Sequence, residues 1–172
     1  MKKLILGLLV SQGLFAAPAK LVPTSLAKLV EKECTYVEGD LNDFAACPTV
    51  EKYQFKKITV EGVQAFLAAE KQIDVKVTTT TAALKVIGDS IGKQVSLLWD
   101  TLLEGEDDSA KAAQVYVDSV PKMMAAFKRA ATGKVVLAGD GYWAPSVNAR
   151  AMAIVDFEKK TVIVILHGDT DG

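Results

Sequence analysis

Two apolar segments near the C-terminus constrain the fold of this 172-residue chain more than any other feature. Over residues 147–157 Val, Ala and Phe alternate with mainly polar positions, which is the pattern of a β-strand with two unlike faces. A short charged turn follows at 158–160, and residues 161–166 are then almost wholly apolar and β-branched. Such a run needs cover on both faces and therefore predicts a central strand. The row of alanines on the preceding strand would let a helix lie close to the sheet.

Two long helical patterns precede these strands. Apolar residues recur every three or four positions over residues 84–102, and a second stripe of the same period covers 113–131. The acidic stretch 104–108 between them is short enough to make the two helices an antiparallel hairpin. Other segments carry weaker patterns: helices at 24–33 and 63–71, and strands at 53–60, 73–77 and 135–137. The prediction is an α+β fold: a mainly antiparallel sheet of four to five strands, covered on one face by the long helical hairpin.

The N-terminus has the pattern of a secretory signal peptide. Two lysines are followed by an apolar stretch at residues 4–15 and by small residues at 16–19, with cleavage expected after Ala16 or Ala19. About twelve apolar residues are too few for a membrane-spanning helix. We therefore expect a signal peptide over 1–19 and one soluble domain over 20–172, without a transmembrane segment, in the periplasm or outside the cell. A buried N-terminal helix is the alternative.

Composition excludes several classes of protein. Half of the residues are hydrophobic and the formal net charge is −1, so the chain is not disordered. Removing the signal takes away two lysines and leaves 18 basic against 21 acidic side chains, a net charge of −3. This acidic balance argues against nucleic-acid partners, because no basic excess is present to neutralise phosphates.

The two cysteines, Cys34 and Cys47, are thirteen positions apart. In an exported protein such a pair predicts one disulfide, which would close a loop near the N-terminus of the domain. A loop of about 15 residues closed in this way stabilises by about 3 kcal/mol. A thiol nucleophile or redox pair is the alternative, although the spacing is not C-x-x-C. Two cysteines and one histidine are too few for a four-ligand zinc site without carboxylates.

His167 is the only histidine, so it would have to be the base of any serine or cysteine hydrolase that relies on one. The block Gly-Asp-Ser-Ile at residues 88–91 resembles the nucleophile block of GDSL-type esterases, which would make Ser90 a nucleophile. Here the block lies within a helical stripe, and Val164 stands three residues before the histidine, where that family has Asp. The catalytic candidates are thus His167, Ser90 and Asp140, which do not form a complete catalytic set.

The last residues, Asp-Thr-Asp-Gly at 169–172, have the alternating oxygen ligands of a calcium loop. Asp140 would supply a further carboxylate, so Asp140, Asp169 and Asp171 are the metal candidates. The chain ends before the remaining ligands of such a loop, and a frayed polar tail is the alternative interpretation. No cofactor is predicted.

Residues 139–150 form the best candidate site. Two glycines, a proline and a serine predict a loop, and it carries aromatic, amide and guanidinium groups typical of binding surfaces. The predicted ligand-binding residues are Tyr142, Trp143, Asn148 and Arg150. Alternatively, the tryptophan folds back and covers the end of the core. The functional prediction is an exported, non-enzymatic module that binds a protein or small ligand through this loop. A small hydrolase using His167, or a structural, oligomer-forming envelope protein, are the alternatives.

Overall fold

The computed structural model describes residues 17–38, 47–102, 107–144 and 147–170. In this part of the chain the fold is α+β, with four helices and one antiparallel sheet of six strands. The strands are β1 (Ala19–Lys20), β2 (Thr49–Gln54), β3 (Ile73–Thr78), β4 (Val135–Ala144), β5 (Val147–Asp156) and β6 (Thr161–Thr170). The helices are α1 (Ser25–Glu38), α2 (Val60–Lys71), α3 (Thr80–Leu102) and α4 (Asp107–Ala131). None of the described helices combines the length and apolar character that crossing a bilayer requires.

The strand order is β1-β2-β6-β5-β4-β3, and every neighbouring pair is antiparallel. The apolar run that predicted a central strand is β6, which lies between β2 and β5. The α+β class and the antiparallel sheet are thus confirmed, whereas four to five strands was an underestimate. The additional strand is β1, whose two residues carry no periodicity that a sequence pattern would reveal.

Helices cover both faces of the sheet, and each face has its own hydrophobic core. On one face α1, α3 and α4 pack against the sheet, with Ile87, Phe127 and Ile165 fully buried. On the other face the alanines of β5 share a second core with Val63 and Leu67 of α2. The predicted helical cover therefore accounts for only one face. The alanine side chains of β5 lie against α2, and not against the long helices α3 and α4.

The predicted break at residues 139–141 is wrong, because β4 continues through both of its glycines. The reason is the close approach of β3 to β4. A Cβ added to Gly139 would lie 1.8 Å from the carbonyl oxygen of Asp74, and one added to Gly141 would lie 2.0 Å from that of Gln72. Glycine is therefore required here by contact with a neighbouring backbone, and it does not mark a turn.

We predict that Gly139→Ala destabilises the protein by about 3 kcal/mol or more, the upper end of overpacking costs, because a backbone carbonyl occupies the space. Gly92→Ala is the matched control. A Cβ at Gly92 meets nothing within 4 Å on an exposed helix surface, so this change should stabilise by about 1 kcal/mol. Denaturant unfolding of both variants measures the difference. Equal stabilities would contradict the close approach of β3.

The predicted disulfide is not supported either, since Cys34 and Cys47 are not at disulfide distance in the structure. α1 is longer than its sequence pattern suggests, so Cys34 lies within this helix and not at the start of a loop. Its Sγ lies 4.0 Å from Sδ of Met123 on α4. The Cys47 thiol donates to the backbone oxygen of Cys34 at 3.7 Å. Burial raises the pKa of the Tyr116 hydroxyl, and the two nearby cysteines raise it further.

Glu51 ties β1, β2 and α2 together through its carboxylate. Lys71 Nζ lies 2.6 Å away, the Tyr53 hydroxyl donates at 2.5 Å, and Lys20 forms a further ion pair. Partial burial alone would raise the pKa of Glu51, but the hydrogen bonds from Lys20, Lys71 and Tyr53 outweigh it and lower the pKa from 4.5 to about 2. Burial and the adjacent carboxylate raise the pKa of Tyr53. Folding therefore favours the ionised form of Glu51.

This pKa shift predicts the pH dependence of stability. A carboxyl group with a lowered folded pKa stabilises the protein above pH 4.5, and this stabilisation is lost as the pH falls from 4.5 towards about 2. At pH 7 we expect Glu51→Gln to lose about 2 kcal/mol. This is less than the about 3 kcal/mol of the full pKa difference, because Lys20 is largely exposed. Denaturant unfolding at pH 7 and pH 3 measures the gap, and a gap that does not change with pH would contradict the ion-pair network.

Candidate functional site

A row of polar residues crosses the central strands on the face of the sheet that α1, α3 and α4 cover. Arg150 on β5 pairs with Asp140 on β4 and with His167 on β6 in the register of the sheet. Their faces follow from strand alternation, since Met152 and Ile165, two residues away, belong to the helix-side core. Arg150 Nη1 lies 2.9 Å from Oδ2 of Asp140, whose side chain is 69% exposed. The row thus runs from a solvent-exposed ion pair to a buried histidine.

Helix α3 places Ser90 directly on this row. The Ser90 Oγ and the Nδ1 atom of His167 form a hydrogen bond of 2.7 Å, and each residue is only 1% exposed. Two residues that the sequence identified separately, 77 positions apart, are therefore brought into contact. Asp140 does not join them, because β5 lies between β4 and β6 and Arg150 holds the Asp140 carboxylate.

Gln94 lies one helical turn after Ser90 and on the same face of α3. Gly88, which is directed towards Met124 of α4, marks a different side of the helix. The Gln94 residue is 2% exposed, and its side-chain amide makes no hydrogen bond within the described part of the chain. Leaving a buried polar group unpaired costs about 1–3 kcal/mol. Sequence analysis missed Gln94 because it lies among the apolar residues of a helical stripe. Its spacing of four residues from Ser90, which places both on one face of the helix, was the signal that could have identified it.

Within the predicted loop at 139–150, residues 139–144 and 147–150 are instead the paired ends of β4 and β5. Asn148 on β5 pairs with Tyr142 on β4 and with Asp169 on β6 in the register. Asn148 is buried, whereas Tyr142 is 67% exposed. The Trp143 and Asp169 side chains, residues 145–146 and Asp171 lie outside what the structure describes.

We call Ser90, Gln94, Asn148, Arg150 and His167 the polar floor. All five lie on the face that α1, α3 and α4 cover, at the end of the sheet where β4 ends and β5 begins. β3 leads into α3, which then runs back in the direction of β4. The turn of α3 that carries Gln94 therefore lies at the level of the last residues of β4. Tyr142 and Asp140 form the exposed rim of this floor.

The polar floor offers hydrogen-bond donors and acceptors and one partly exposed cation, since the Arg150 side chain is 25% exposed. Among the described residues no three His, Cys, Asp or Glu side chains form a group that could hold a metal ion. No family model, curated protein or solved structure matches this chain. The geometry of the polar floor therefore carries the functional argument alone.

We predict that Gln94→Met stabilises the protein by about 1 kcal/mol. Methionine has a similar shape and removes the buried amide that lacks a partner, and replacing unpaired polar groups by apolar ones of equal shape relieves their desolvation cost. Gln114→Met is the control, because that glutamine is exposed and donates to Asp118 at 2.9 Å. Its stability should change by less than about 0.5 kcal/mol. A loss of stability in Gln94→Met, measured by denaturant unfolding, would show that the amide is already satisfied.

Proposed function

We propose that this chain is an exported, non-enzymatic module that binds a protein or small ligand at the polar floor and its rim. The unpartnered amide of the buried Gln94 is the single observation that carries the proposal. Binding sites combine buried polar groups that fix orientation with exposed aromatic groups that supply contact area. Tyr142 at the rim is the exposed aromatic group here.

The chemistry of Gln94 indicates the class of ligand. A side-chain amide is satisfied by a group that both donates and accepts a hydrogen bond, such as a peptide amide. Arg150 of the polar floor already pairs with Asp140 at the rim, at 2.9 Å. A neutral amide ligand would therefore be favoured over an anion, because an anion would compete with Asp140 for the guanidinium.

Export to the periplasm or the exterior is part of the proposal, and the leader pattern supports it. Of the two cleavage positions, cleavage after Ala16 leaves β1 intact. Ala19 and Lys20 pair with Gln54 and Tyr53 of β2, so cleavage after Ala19 would remove half of this strand. We therefore propose Ala16 as the last residue of the leader. N-terminal sequencing of the exported protein would test this directly.

Calorimetric titration with a set of N-acetylated dipeptide amides tests the binding proposal. We expect at least one member to bind, and we expect Tyr142→Ala to weaken that binding by tenfold or more, as for an aromatic hot spot. Phe157→Ala is the matched control, because Phe157 is also an exposed aromatic residue but directly follows the last residue of β5, at the opposite end of that strand. It should change the affinity by less than twofold.

Two results would contradict the binding proposal. If no amide of the set binds while simple carboxylates do, the site recognises anions through Arg150 and the argument from Gln94 fails. If Phe157→Ala weakens binding as much as Tyr142→Ala does, the ligand does not contact the rim of the polar floor.

A small hydrolase is the second candidate, and the 2.7 Å hydrogen bond between Ser90 and His167 favours it. The position of Asp140 opposes it, because Arg150 holds that carboxylate and β5 separates its strand from the strand of His167. A fluorophosphonate, which phosphonylates activated serines and releases fluoride, separates the two functions. Modification of Ser90 that is abolished in His167→Ala would support the hydrolase. An unmodified Ser90 is the result expected of a binding module.

A further inference from the structure

Three sulfur-containing residues, Cys34, Cys47 and Met123, are neighbours between α1, α4 and the segment that leads into β2. The Cys34 Sγ on α1 lies 4.0 Å from the Sδ of Met123 on α4. The Cys47 Sγ lies 3.7 Å from the backbone oxygen of Cys34. Cys34 and Met123 are buried, whereas Cys47 is half-buried. We propose that Cys34, Cys47 and Met123 form a three-sulfur binding site for Cu(I).

The distance between the first two sulfurs fits two ligands of one metal ion. A metal–sulfur bond of about 2.3 Å combined with a trigonal angle separates two ligand atoms by about 4.0 Å. This matches the 4.0 Å between Cys34 Sγ and Met123 Sδ. The third sulfur lies against the backbone oxygen of Cys34, and the proposed site requires the Cys47 side chain to turn from that oxygen towards the ion.

The ligand types select the metal. Thiolate and thioether sulfurs are soft ligands that favour Cu(I), whereas calcium and magnesium require oxygen. Zinc prefers four ligands drawn from thiolate, imidazole and carboxylate groups. Within the described ranges no third His, Cys, Asp or Glu joins the two cysteines. His167, the only histidine, is hydrogen-bonded to Ser90. The third ligand is thus the Met123 thioether, which zinc binds poorly.

A cavity gives an ion access to the two cysteines. It has a volume of about 340 Å³ and lies between α1 and β2, and both cysteines line it. Apolar residues, including Val30, Pro48 and Val50, form much of its remaining wall. When Cu(I) binds, the two thiols lose their protons to solvent, and the two thiolates with one cuprous ion carry a net charge of −1. No change in the oxidation state of copper or sulfur is required.

The test is competition for Cu(I) between the purified, fully reduced chain and the coloured chelator bicinchoninate, under anaerobic conditions. We expect the protein to withdraw one equivalent of Cu(I) and to gain ultraviolet thiolate-to-copper absorption. Ag(I), which has the same charge and a similar preference for sulfur, should bind with the same stoichiometry. Cys34→Ser and Cys47→Ser should each weaken the affinity for Cu(I) by tenfold or more.

A pair of methionine variants separates ligation from folding. Met123→Leu keeps the volume of the core and removes the thioether, so it should weaken Cu(I) binding by tenfold or more. Met124→Leu changes the adjacent methionine, which contacts the Gly88 side of α3, and should leave the affinity within twofold. Comparing these two variants tests whether Met123 is a ligand of Cu(I) even if Cys34→Ser does not fold.

Three results would overturn the site. The reduced wild-type chain would leave all Cu(I) with the chelator, or the two methionine variants would bind Cu(I) equally well, or Zn(II) would displace Cu(I) at equal concentration. Each of these results removes the role of Met123 or the preference for a soft monovalent ion.

Discussion

The burial of β4, β5 and β6 on both faces is the constraint on which the rest of the structure depends. Each of these strands has to place side chains into two cores, one under α1, α3 and α4 and one under α2. A polar residue on such a strand loses contact with water and must find a partner in the protein. His167 finds Ser90, and Arg150 finds Asp140. The Gln94 amide, which faces the same strands, has no partner among the described residues.

Local periodicity accounts for the part of the fold that could be predicted. The alternation of β3 and β5, the apolar run of β6 and the stripes of the two long helices are all properties of neighbouring residues. The errors arose where a distant segment sets the conformation. Gly139 and Gly141 have the composition of a turn, yet they lie in a strand because β3 passes within contact distance. Cys34 was predicted to begin a loop, but packing against Met123 of α4 extends the helix around it.

The candidate site was predictable residue by residue but not as an arrangement. His167 was identified because it is the only histidine, and Ser90 because of the residues around it; their contact depends on how α3 crosses the sheet. Arg150 was assigned to a loop, whereas it lies on β5 and is paired in the register with Asp140 on β4 and His167 on β6. Met123 carried no signal at all, since a methionine in an apolar helix stripe is ordinarily a core residue.

The most direct test of the polar floor is the side-chain amide signal of Gln94 in a ¹⁵N–¹H spectrum, assigned by its disappearance in Gln94→Met. When an amide ligand is added, this signal and the backbone signals of Gly139 and Gly141 should shift together. Gly133, at the end of α4, should not respond. Ligand-induced shifts that leave Gln94 unchanged and map instead to α1 and β2 would contradict the account.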